Sequence, residues 1–448
     1  MTPHPPPSRP ASSRSAPSRL APLRLAWAGP WNRRSAIAAF GARIVAEVAA
    51  LGHAVEVFRT ETGEAASLPA LPAPGPVHAP FTLTAELMAG FFDGVIVNVG
   101  DNFGFHGAAL PLLSRVPAVG VLHDASMDGF RDGWRGYAEA GGVLHGADMA
   151  AIEGGRDAPL ELVASLPVGA VVHGRHYRAR IEALCPGPVA AIPLAFDVAD
   201  LPAPRPIGER LVAATIGHVN ANKRVDQIIR AIGASPRLRE AVHYLVIGDI
   251  HDAERARLTG LADRVGAPQP DFTGWVSDTT LHILLAGVDV IGCLRHPVIE
   301  GGSASLVLAL RSGRPTLVSD QGSYAEVPDD LVLKCPPGHE AAHVLHHLET
   351  VLDDPRGAEA MGRRARAYAE TVHSPGAYVA ALLPFLERVA RAAPAIMARR
   401  RIRRTLAGLG LPSDPASTAG AARGLDDLLR GAGKEMCHET GSERLRSA

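Results

Sequence analysis

The chain alternates continuous apolar segments with stretches of helical periodicity, and it does so twice. The first series opens with LRLAWAGP, continues with a segment whose apolar residues recur at helical spacing, and then reaches HAVEVF. Further apolar segments of this series are FDGVIVNVG, AVGVLHD, GAVVHG and VAAIPL. Apolar strands separated by helices are typical of a parallel sheet covered on both faces. The sequence therefore predicts the α/β class.

A Pro-rich segment, DVADLPAPRPIGER, interrupts the alternation at residues 197–210 and has the composition of an interdomain linker. After it the alternation restarts with LVAATIG, a helical stretch from Lys223 to Ile232, HYLVIGD, VDVIGCL and PTLVSD. Two successive α/β units fit one chain better than a single enlarged sheet. We therefore expect a first domain over residues 22–200 and a second over residues 208–372.

The composition excludes several classes of protein. The 448 residues include 45 basic and 46 acidic side chains, so the strong basic excess of a nucleic-acid binder is missing and no nucleic-acid partner is expected. The sequence contains no run of about 18 apolar residues, so no membrane-spanning helix is expected. The residues before Leu20 lack the apolar core of a signal peptide. The cysteines are too scattered for a zinc site or a disulfide framework, which favours a reducing compartment and a cytoplasmic protein: Cys185, Cys293, Cys335 and Cys437.

The two ends of the chain differ from its middle. We expect a disordered tail over residues 1–21, which are rich in Pro, Ser, Ala and Arg, and a basic, weakly ordered tail over residues 396–448. The second tail contains a basic run with apolar residues such as Ile396 and Met397 nearby: Arg399, Arg400, Arg401, Arg403 and Arg404. Such a run is typical either of a helix on an anionic membrane surface or of a solvated tail, and the solvated tail is favoured.

Chemistry-bearing residues follow three strands of the second unit. In open parallel sheets ligands bind beyond the carboxyl ends of the strands. After LVAATIG comes a loop from Gly217 to Lys223 that can present backbone N–H groups and one cation to a phosphate. After VDVIGCLRHP come Glu300, which can bind hydroxyl groups, and the pair Gly301–Gly302, which precedes a helix whose N-terminus favours an anion.

These loops together suit a donor that contains both a diphosphate and a polyol. The alternative is that each is an ordinary turn, with Lys223 and Glu300 merely solvated. Their occurrence in one α/β unit favours the ligand site. This hypothesis requires Lys223 and the Gly301–Gly302 pair to lie at the same edge of their sheet.

Five segments carry a family resemblance: GHVNANKRVDQIIRAI, YLVIGD, DFTGWVSD, EGGSASLVLALRSGRPTLVSDQGSYAEV and MGRRARAYAE. In order and spacing, from about Leu211 to Val372, they resemble the donor half of the retaining glycosyltransferases of family four. Gly29 followed by SAIAAF, NVGDNFGFH, VPAVGVLHD and AVVHGRHY are similar to the acceptor domain of that family. The resemblance implies the GT-B architecture, two Rossmann-like domains facing a central cleft, with a terminal helix over residues 373–395 that packs back toward the first domain.

The resemblance also implies roles for individual residues. Lys223 would bind the donor diphosphate, Glu300 would hold hydroxyls of the transferred sugar, and His123 would lie beside the reacting sugar. The remaining donor-binding candidates, which include backbone groups around the phosphate and the base, are Gly217, Asn222, Trp275, Val276, Gly301, Gly302, Ser303 and Glu326. The acceptor-side candidates are Gly29, Asn102, His106 and Asp124.

Several of these candidates have a structural alternative. His123 is as consistent with a structural hydrogen bond as with a catalytic role, and Asp124 would orient it or cap the following turn. His106 would equally serve a helix end, Glu326 would equally cap a helix, and His173 and His176 would equally serve packing or loop hydrogen bonds. Two positions depart from the family pattern, since Leu308 replaces a ribose-binding carboxylate and His218 replaces an arginine.

The reaction implied is transfer of a sugar from a nucleoside diphosphate to a hydroxyl of a carbohydrate or lipid-linked acceptor, with retention of configuration. No metal site and no cofactor are expected. The Ala, Gly and Arg content suggests a bacterial source and a role in polysaccharide assembly. Leu308 and His218 keep open a degenerate, non-catalytic relative. An NAD-dependent oxidoreductase is disfavoured because the first turn, GPWNRRS, lacks the GxGxxG pattern, and a phosphorylase would need a cofactor lysine that the sequence does not identify.

Overall fold

The computed structural model describes residues 21–79, 90–139, 154–155, 157–196 and 201–408. In these residues the chain forms two parallel sheets, one before and one after the Pro-rich segment. The predicted α/β class with two Rossmann-like domains is confirmed. Residues 1–20 and 409–448, which hold most of the two predicted tails, lie outside the described residues.

The first sheet has seven strands in the order β3-β2-β1-β4-β5-β6-β7. The strands are β1 (Arg24–Gly29), β2 (Ala54–Arg59), β3 (Val77–His78), β4 (Gly94–Val99), β5 (Ala118–Leu122), β6 (Gly169–Val172) and β7 (Val189–Ala191). Its helices are α1 (Ala36–Ala50), α2 (Phe103–His106), α3 (Ala109–Arg115), α4 (Asp128–Glu139), α5 (Ala158–Ser165) and α6 (Arg178–Leu184), with a 3₁₀ turn at Gly63–Ser67. All of its strand pairs are parallel, so the carboxyl ends of the strands share one edge.

The second sheet has six strands in the order β10-β9-β8-β11-β12-β13. The strands are β8 (Leu211–Ile216), β9 (Val242–Ile247), β10 (Asp271–Gly274), β11 (Val290–Cys293), β12 (Thr316–Ser319) and β13 (Leu333–Cys335). The helices are α7 (Val225–Ala234), α8 (Pro236–Ala241), α9 (Asp252–Val265), α10 (Asp278–Ala286), α11 (Ala304–Arg311), α12 (Gly322–Ala325), α13 (Glu340–Asp353) and α14 (Pro355–Val372). This sheet is also parallel throughout.

Helix α1 shows how the sequence fixes an element beside the site. The Ser35 side chain caps it by accepting a 3.2 Å hydrogen bond from the Ala38 amide. The residues on its apolar face, among them Phe40 and Ile44, are buried against the sheet. The helix ends before Gly52, whose φ of 92° favours glycine.

Helix α7 begins two residues later than the pattern predicts. Lys223 lies in a 3₁₀ turn (Ala221–Lys223), and Arg224 takes the left-handed conformation with a φ of 53°. The helix follows from Val225. The predicted start at Lys223 is therefore wrong, because the turn directs the lysine side chain back under the end of β8.

A last helix, α15 (Pro375–Gly408), crosses back to the first domain. Its residues Tyr378, Leu382 and Ile396 are buried in the core of that domain. The predicted change from helix to weakly ordered tail at residue 396 is wrong, because Ile396 and Met397 pack against the first domain and so continue the helix.

Two arginines of the basic run bind the ends of neighbouring helices. Arg400 donates 3.1 Å hydrogen bonds to the carbonyls of Ser165 and Pro167 at the end of α5. Arg404 donates a 2.7 Å hydrogen bond to the Ser114 carbonyl in the last turn of α3. Cations are favourable at helix C-termini, so Arg400 and Arg404 attach this part of the run to the first domain. No described helix has both the length and the apolar character needed to cross a membrane.

Candidate active site

The carboxyl edges of the two sheets face each other, and the segments that follow their strands are in contact. The segment after β5 and the segment before α11 form a short antiparallel bridge between Asp124 and Glu300. The Gly301 amide donates a 2.8 Å hydrogen bond to the His123 carbonyl, and the Ala125 amide donates one of 2.8 Å to the Ile299 carbonyl. The fold therefore brings together four predicted residues from the two halves of the chain.

A cavity of about 290 Å³ lies at this junction. Both domains contribute to its wall, and the lining residues are Ala36, Ile37, Phe40, His123, Asp124, Leu194, Ala195, Phe196, Glu300, Gly302, Ser303, Ala304 and Ser305. The volume is close to the lower end of small-molecule sites, about 300 Å³.

Two helix N-termini open into this cavity. The caps Ser35 and Ser303 bind the third amide of α1 and of α11, at 3.2 and 3.3 Å. The first amides of these helices belong to residues that line the cavity: Ala36, Ile37, Ala304 and Ser305. The first four amides of a helix have no partner within it, and their end of the helix carries partial positive charge. The cavity is therefore suited to an anion on two sides.

The Glu300 carboxylate is fixed by three donors. Arg295 Nε lies 3.1 Å and the Tyr324 hydroxyl 2.5 Å from Oε1, and the Ile299 amide lies 3.3 Å from Oε2. Arg295 is buried and also donates to Ser305 Oγ at 3.1 Å. Burial raises the pKa of Tyr324, so the hydroxyl keeps its proton and remains a donor. Glu300 is thus presented to the cavity in one orientation.

Residues 200–368, which span the second sheet, match the family described as glycosyl transferases group 1. The second domain is therefore similar to glycosyl transferases group 1. No curated protein matches the chain.

Solved structures resemble the whole two-domain chain. A sucrose-phosphate synthase from Thermosynechococcus elongatus has a TM-score of 0.59 at 14% identity, over 83% of this chain and 100% of its own. HepE of Anabaena in complex with UDP-glucose has a TM-score of 0.57 at 15% identity, over 82% of this chain and 99% of its own. A glycosyltransferase from Rickettsia africae ESF-5 has a TM-score of 0.57 at 11% identity, over 83% of this chain and 99% of its own. At these identities the likeness shows the fold, which is the GT-B architecture of glycosyl transferases group 1.

The glycine pair of this group 1 domain lies against the first domain. A Cβ on Gly301 would stand 2.1 Å from the Tyr177 hydroxyl oxygen, and one on Gly302 would stand 3.0 Å from Cβ of His173 and of Leu194. The Gly301 amide binds the His123 carbonyl. In this structure the Gly301 amide therefore binds the first domain, and the absent side chain allows the two domains to approach each other. The role of the Gly301 amide beside a phosphate stays a prediction.

Lys223 lies at the same sheet edge as Glu300 but is turned away from the cavity. Its ammonium donates to the carbonyl of Ile216 at the end of β8, and the side chain is buried. Burial, with the charge of Arg295, lowers the pKa of Lys223 to about 7, while the charge of Glu300 opposes the shift. The role of Lys223 as a ligand of the donor diphosphate stays a prediction, and the lysine lies close enough to Glu300 for their charges to interact.

Gly217 explains how the lysine fits there. A Cβ on Gly217 would lie 2.7 Å from Lys223 Nζ, and the residue has a φ of 95°. The neighbouring Asn222 carbonyl accepts a 2.8 Å hydrogen bond from the His296 amide. Both predicted donor-loop residues therefore hold the loop in shape.

His123 has both ring nitrogens engaged within the protein. Nε2 lies 3.0 Å from Asn98 Oδ1, and Nδ1 lies 3.1 Å from His173 Nε2. Burial lowers the pKa of His123 well below its ordinary value. Both ring nitrogens of His123 are therefore used within the protein. The position of His123 beside the reacting sugar stays a prediction.

Asp124 also lines the cavity. Its Oδ2 accepts a 2.7 Å hydrogen bond from the Asp101 amide. Burial raises the pKa of Asp124 to about 7, and the charges of Asp101 and Glu300 contribute to the rise. Asp124 thus orders the segment after β5 and does not orient the His123 ring.

The other acceptor-side candidates support the first domain. Gly29 leaves room for Asn98, whose Cβ would lie 3.2 Å from a Cβ on residue 29. Asn102 caps α2 through a 3.2 Å hydrogen bond from the Phe105 amide. His106 is buried and its Nδ1 lies 3.0 Å from the Asn98 carbonyl. These contacts favour a structural role for His106, through its hydrogen bond with the Asn98 carbonyl.

Glu326 links the domains through the segment after β6. Its Oε1 accepts a 2.8 Å hydrogen bond from the His176 amide, and its Oε2 lies 3.4 Å from Arg175 Nε. These contacts hold down the pKa of Glu326 against the opposing effect of burial. Glu326 and His176 form a contact between domains, which the sequence did not predict.

The residues predicted near the base lie apart from the cavity. Trp275 follows β10 and is 78% exposed; Val276 lies next to it and packs partly on the second core. Their role as neighbours of a base stays a prediction. Leu308 is buried among apolar residues, and His218 is exposed and lies 3.5 Å from the Asp249 carboxylate.

Proposed function

We propose that this protein transfers a sugar from a nucleoside diphosphate sugar to a hydroxyl acceptor, with retention of configuration. The observation that carries the proposal is the cavity that is lined both by the first residues of α1 and α11 and by Glu300, whose carboxylate is held in place. Helix N-termini suit a diphosphate, and a carboxylate suits the hydroxyls of a sugar. The similarity to HepE of Anabaena, whose structure was solved in complex with UDP-glucose, supports this choice of ligand class.

The transition state of such a transfer places growing negative charge on the departing diphosphate. We propose that the chain's own groups meet this charge without a metal ion. The amides at the start of α1 and α11 are fixed before the reaction, and donors of this kind act more strongly on the transition state than on the ground state. The buried Arg295 lies near the same edge and adds positive potential, to which Lys223 contributes when it is protonated.

Glu300 would bind hydroxyls of the transferred sugar from a position set by Arg295 and Tyr324. Because the carboxylate is already held by these donors, little ordering remains when the sugar binds, and this preorganisation favours binding. The acceptor would enter from the first-domain side of the cavity, beside Ala36 and Phe40. A carbohydrate or lipid-linked hydroxyl fits this proposal.

The test combines ligand binding with product analysis. Thermal shift with a series of nucleoside diphosphate sugars identifies the donor, since a ligand at about 100 times its dissociation constant stabilises the native state by about 2.7 kcal/mol. Proton NMR of the product then gives the anomeric configuration. Retained configuration supports the proposal, and inversion contradicts it. Binding without transfer or hydrolysis would indicate instead the non-catalytic relative that Leu308 and His218 leave open.

A further inference from the structure

A chain of buried polar groups runs beneath the cavity from one strand end to another. Asn98 Nδ2 lies 3.0 Å from the Ala28 carbonyl oxygen, and Asn98 Oδ1 lies 3.0 Å from His123 Nε2. His123 Nδ1 lies 3.1 Å from His173 Nε2, and His173 Nδ1 lies 3.1 Å from the Ile192 carbonyl oxygen. The chain therefore begins and ends at a backbone carbonyl.

The two carbonyls at the ends of this hydrogen-bonded series determine which nitrogen atoms carry hydrogens. A carbonyl oxygen only accepts, so Asn98 must point its NH₂ group at Ala28 and its oxygen at His123. That oxygen needs a hydrogen on His123 Nε2. In the same way, the Ile192 carbonyl needs a hydrogen on His173 Nδ1.

A neutral imidazole has one N–H, so the hydrogens on His123 Nε2 and His173 Nδ1 are the only ring N–H hydrogens of the two neutral side chains. His123 Nδ1 and His173 Nε2 would then face each other at 3.1 Å with a lone pair on each. One more proton between them completes the hydrogen bond and gives the pair a single positive charge. The geometry is therefore that of a shared proton.

The surroundings oppose that charge while the cavity is empty. Burial lowers the pKa of His123 well below its ordinary value and that of His173 to about 4. The ring of Phe40 lies edge-on to both imidazoles, with centroids at 5.2 and 5.5 Å, and Tyr378 lies 5.9 Å from His173. The titratable groups facing the pair from the other elements are His106, Asp124, Tyr177, His373 and Tyr378.

We propose that His123 and His173 act as one proton-sharing unit of the anion site, and that the unit takes up one proton when a diphosphate enters the cavity that His123 lines. The identity of the anion rests on the proposed function. A negative charge within a few ångströms favours the cationic form of an imidazole. The proton comes from solvent and goes to the gap between His123 Nδ1 and His173 Nε2, and no other bond changes. His173 is thus a positioning residue that acts through His123.

The first experiment is independent of any ligand. Nitrogen NMR of the protein with ¹⁵N-labelled histidine, followed as the pH falls, should show that these two rings together gain one proton and that a coupling across the hydrogen bond joins them. Two independent protonations would overturn the shared-proton unit. His173→Gln should abolish the step, because its amide can donate to His123 Nδ1 without a charge.

The second experiment measures proton uptake on binding. Calorimetric titrations with uridine diphosphate and with pyrophosphate, near pH 7 in buffers of different ionisation enthalpy, give the number of protons taken up. Wild type should take up about one proton more than His173→Gln, and groups such as Lys223 and Asp124 contribute to both proteins alike. His347→Gln is the control, since the half-buried His347 also bonds a carbonyl, that of Lys334, but lies outside the site.

Each outcome has a separate meaning. Equal proton uptake by wild type and His173→Gln, with binding intact, overturns the coupling but leaves the proposed function standing. Failure of both anions to bind overturns the proposed function and the coupling together, while the nitrogen NMR result still decides whether the unit shares a proton.

Discussion

The hydroxyl of Tyr324 lies 2.5 Å from Oε1 of Glu300, so a residue of the short helix α12 fixes the carboxylate that faces the cavity. Arg295 Nε reaches the same oxygen at 3.1 Å. We predict that Tyr324→Phe lowers turnover about tenfold, equivalent to about 1.4 kcal/mol of transition-state stabilisation, because the carboxylate gains freedom. Steady-state kinetics with the donor found by thermal shift check this.

Tyr244→Phe is the control for that variant. Tyr244 is also buried in the second domain, and its hydroxyl lies 2.8 Å from Thr215 Oγ1, away from the cavity. Both variants lose one buried hydroxyl, and each should lose about 1 kcal/mol of stability. If both lowered turnover equally, the special role of Tyr324 would be refuted.

Glu300→Gln tests the carboxylate itself. The amide keeps the shape of the side chain but loses the charge and one acceptor, so turnover should fall at least about tenfold while the fold remains, as judged by circular dichroism. Glu370→Gln, a change at an exposed residue paired with Arg366, should leave turnover unchanged. Normal turnover of the Glu300 variant would remove this residue from the site.

The sequence predicted more of the second domain than of the junction between the domains. The strands, and the positions of Lys223 and Glu300 after them, follow from apolar periodicity and from the rule that ligands lie beyond strand ends. The glycine pair was predicted to contact a ligand because glycine allows another group to approach the backbone closely, but the sequence does not identify that group. The groups that approach are Tyr177 and His173, which lie more than a hundred residues away in sequence.

Two site residues were missed for different reasons. Arg295 follows directly after β11, so the strand-end rule that selected Glu300 could have found it. Tyr324 gave no such signal, because only the tertiary fold brings α12 beneath the carboxylate. The pairing of His123 with His173 was equally hidden, since neighbouring strands β5 and β6 place together two histidines that are 50 residues apart.

Gly301→Ala should weaken the contact between the domains. The new methyl group would overlap the Tyr177 hydroxyl oxygen at 2.1 Å, and overpacking of this kind costs about 1–3 kcal/mol. We expect lower turnover and a larger radius of gyration by small-angle X-ray scattering. Gly208→Ala, where a Cβ would meet nothing within 4 Å, is the control. An unchanged radius with normal turnover would show that the bridge is dispensable.

Lys223 should make stability depend on pH. Its pKa is lowered to about 7 in the native state by burial, whereas in an unfolded chain a lysine titrates near 10.4. Between these values the unfolded chain binds more protons, so the free energy of unfolding should rise with pH, by at most about 1.4 kcal/mol per unit. Urea denaturation at pH 7, 8 and 9 measures the slope. Lys223→Met should reduce the slope of the free energy of unfolding against pH. An equal slope in both proteins would show that burial does not lower the pKa of Lys223.

Arg400 should stabilise the first domain through the carbonyls at the end of α5. Its guanidinium donates to the Ser165 and Pro167 carbonyls at 3.1 Å, and cations at a helix C-terminus are worth about 0.3–1 kcal/mol, with more for a charged hydrogen bond. Arg400→Gln should therefore lower the free energy of unfolding by about 1–2 kcal/mol. Arg401 is the adjacent exposed arginine, and Arg401→Gln should change stability little. Equal effects would mean that the basic run acts only through its overall charge, whereas a selective effect of Arg400 would show that α15 contributes to the fold beyond residue 396.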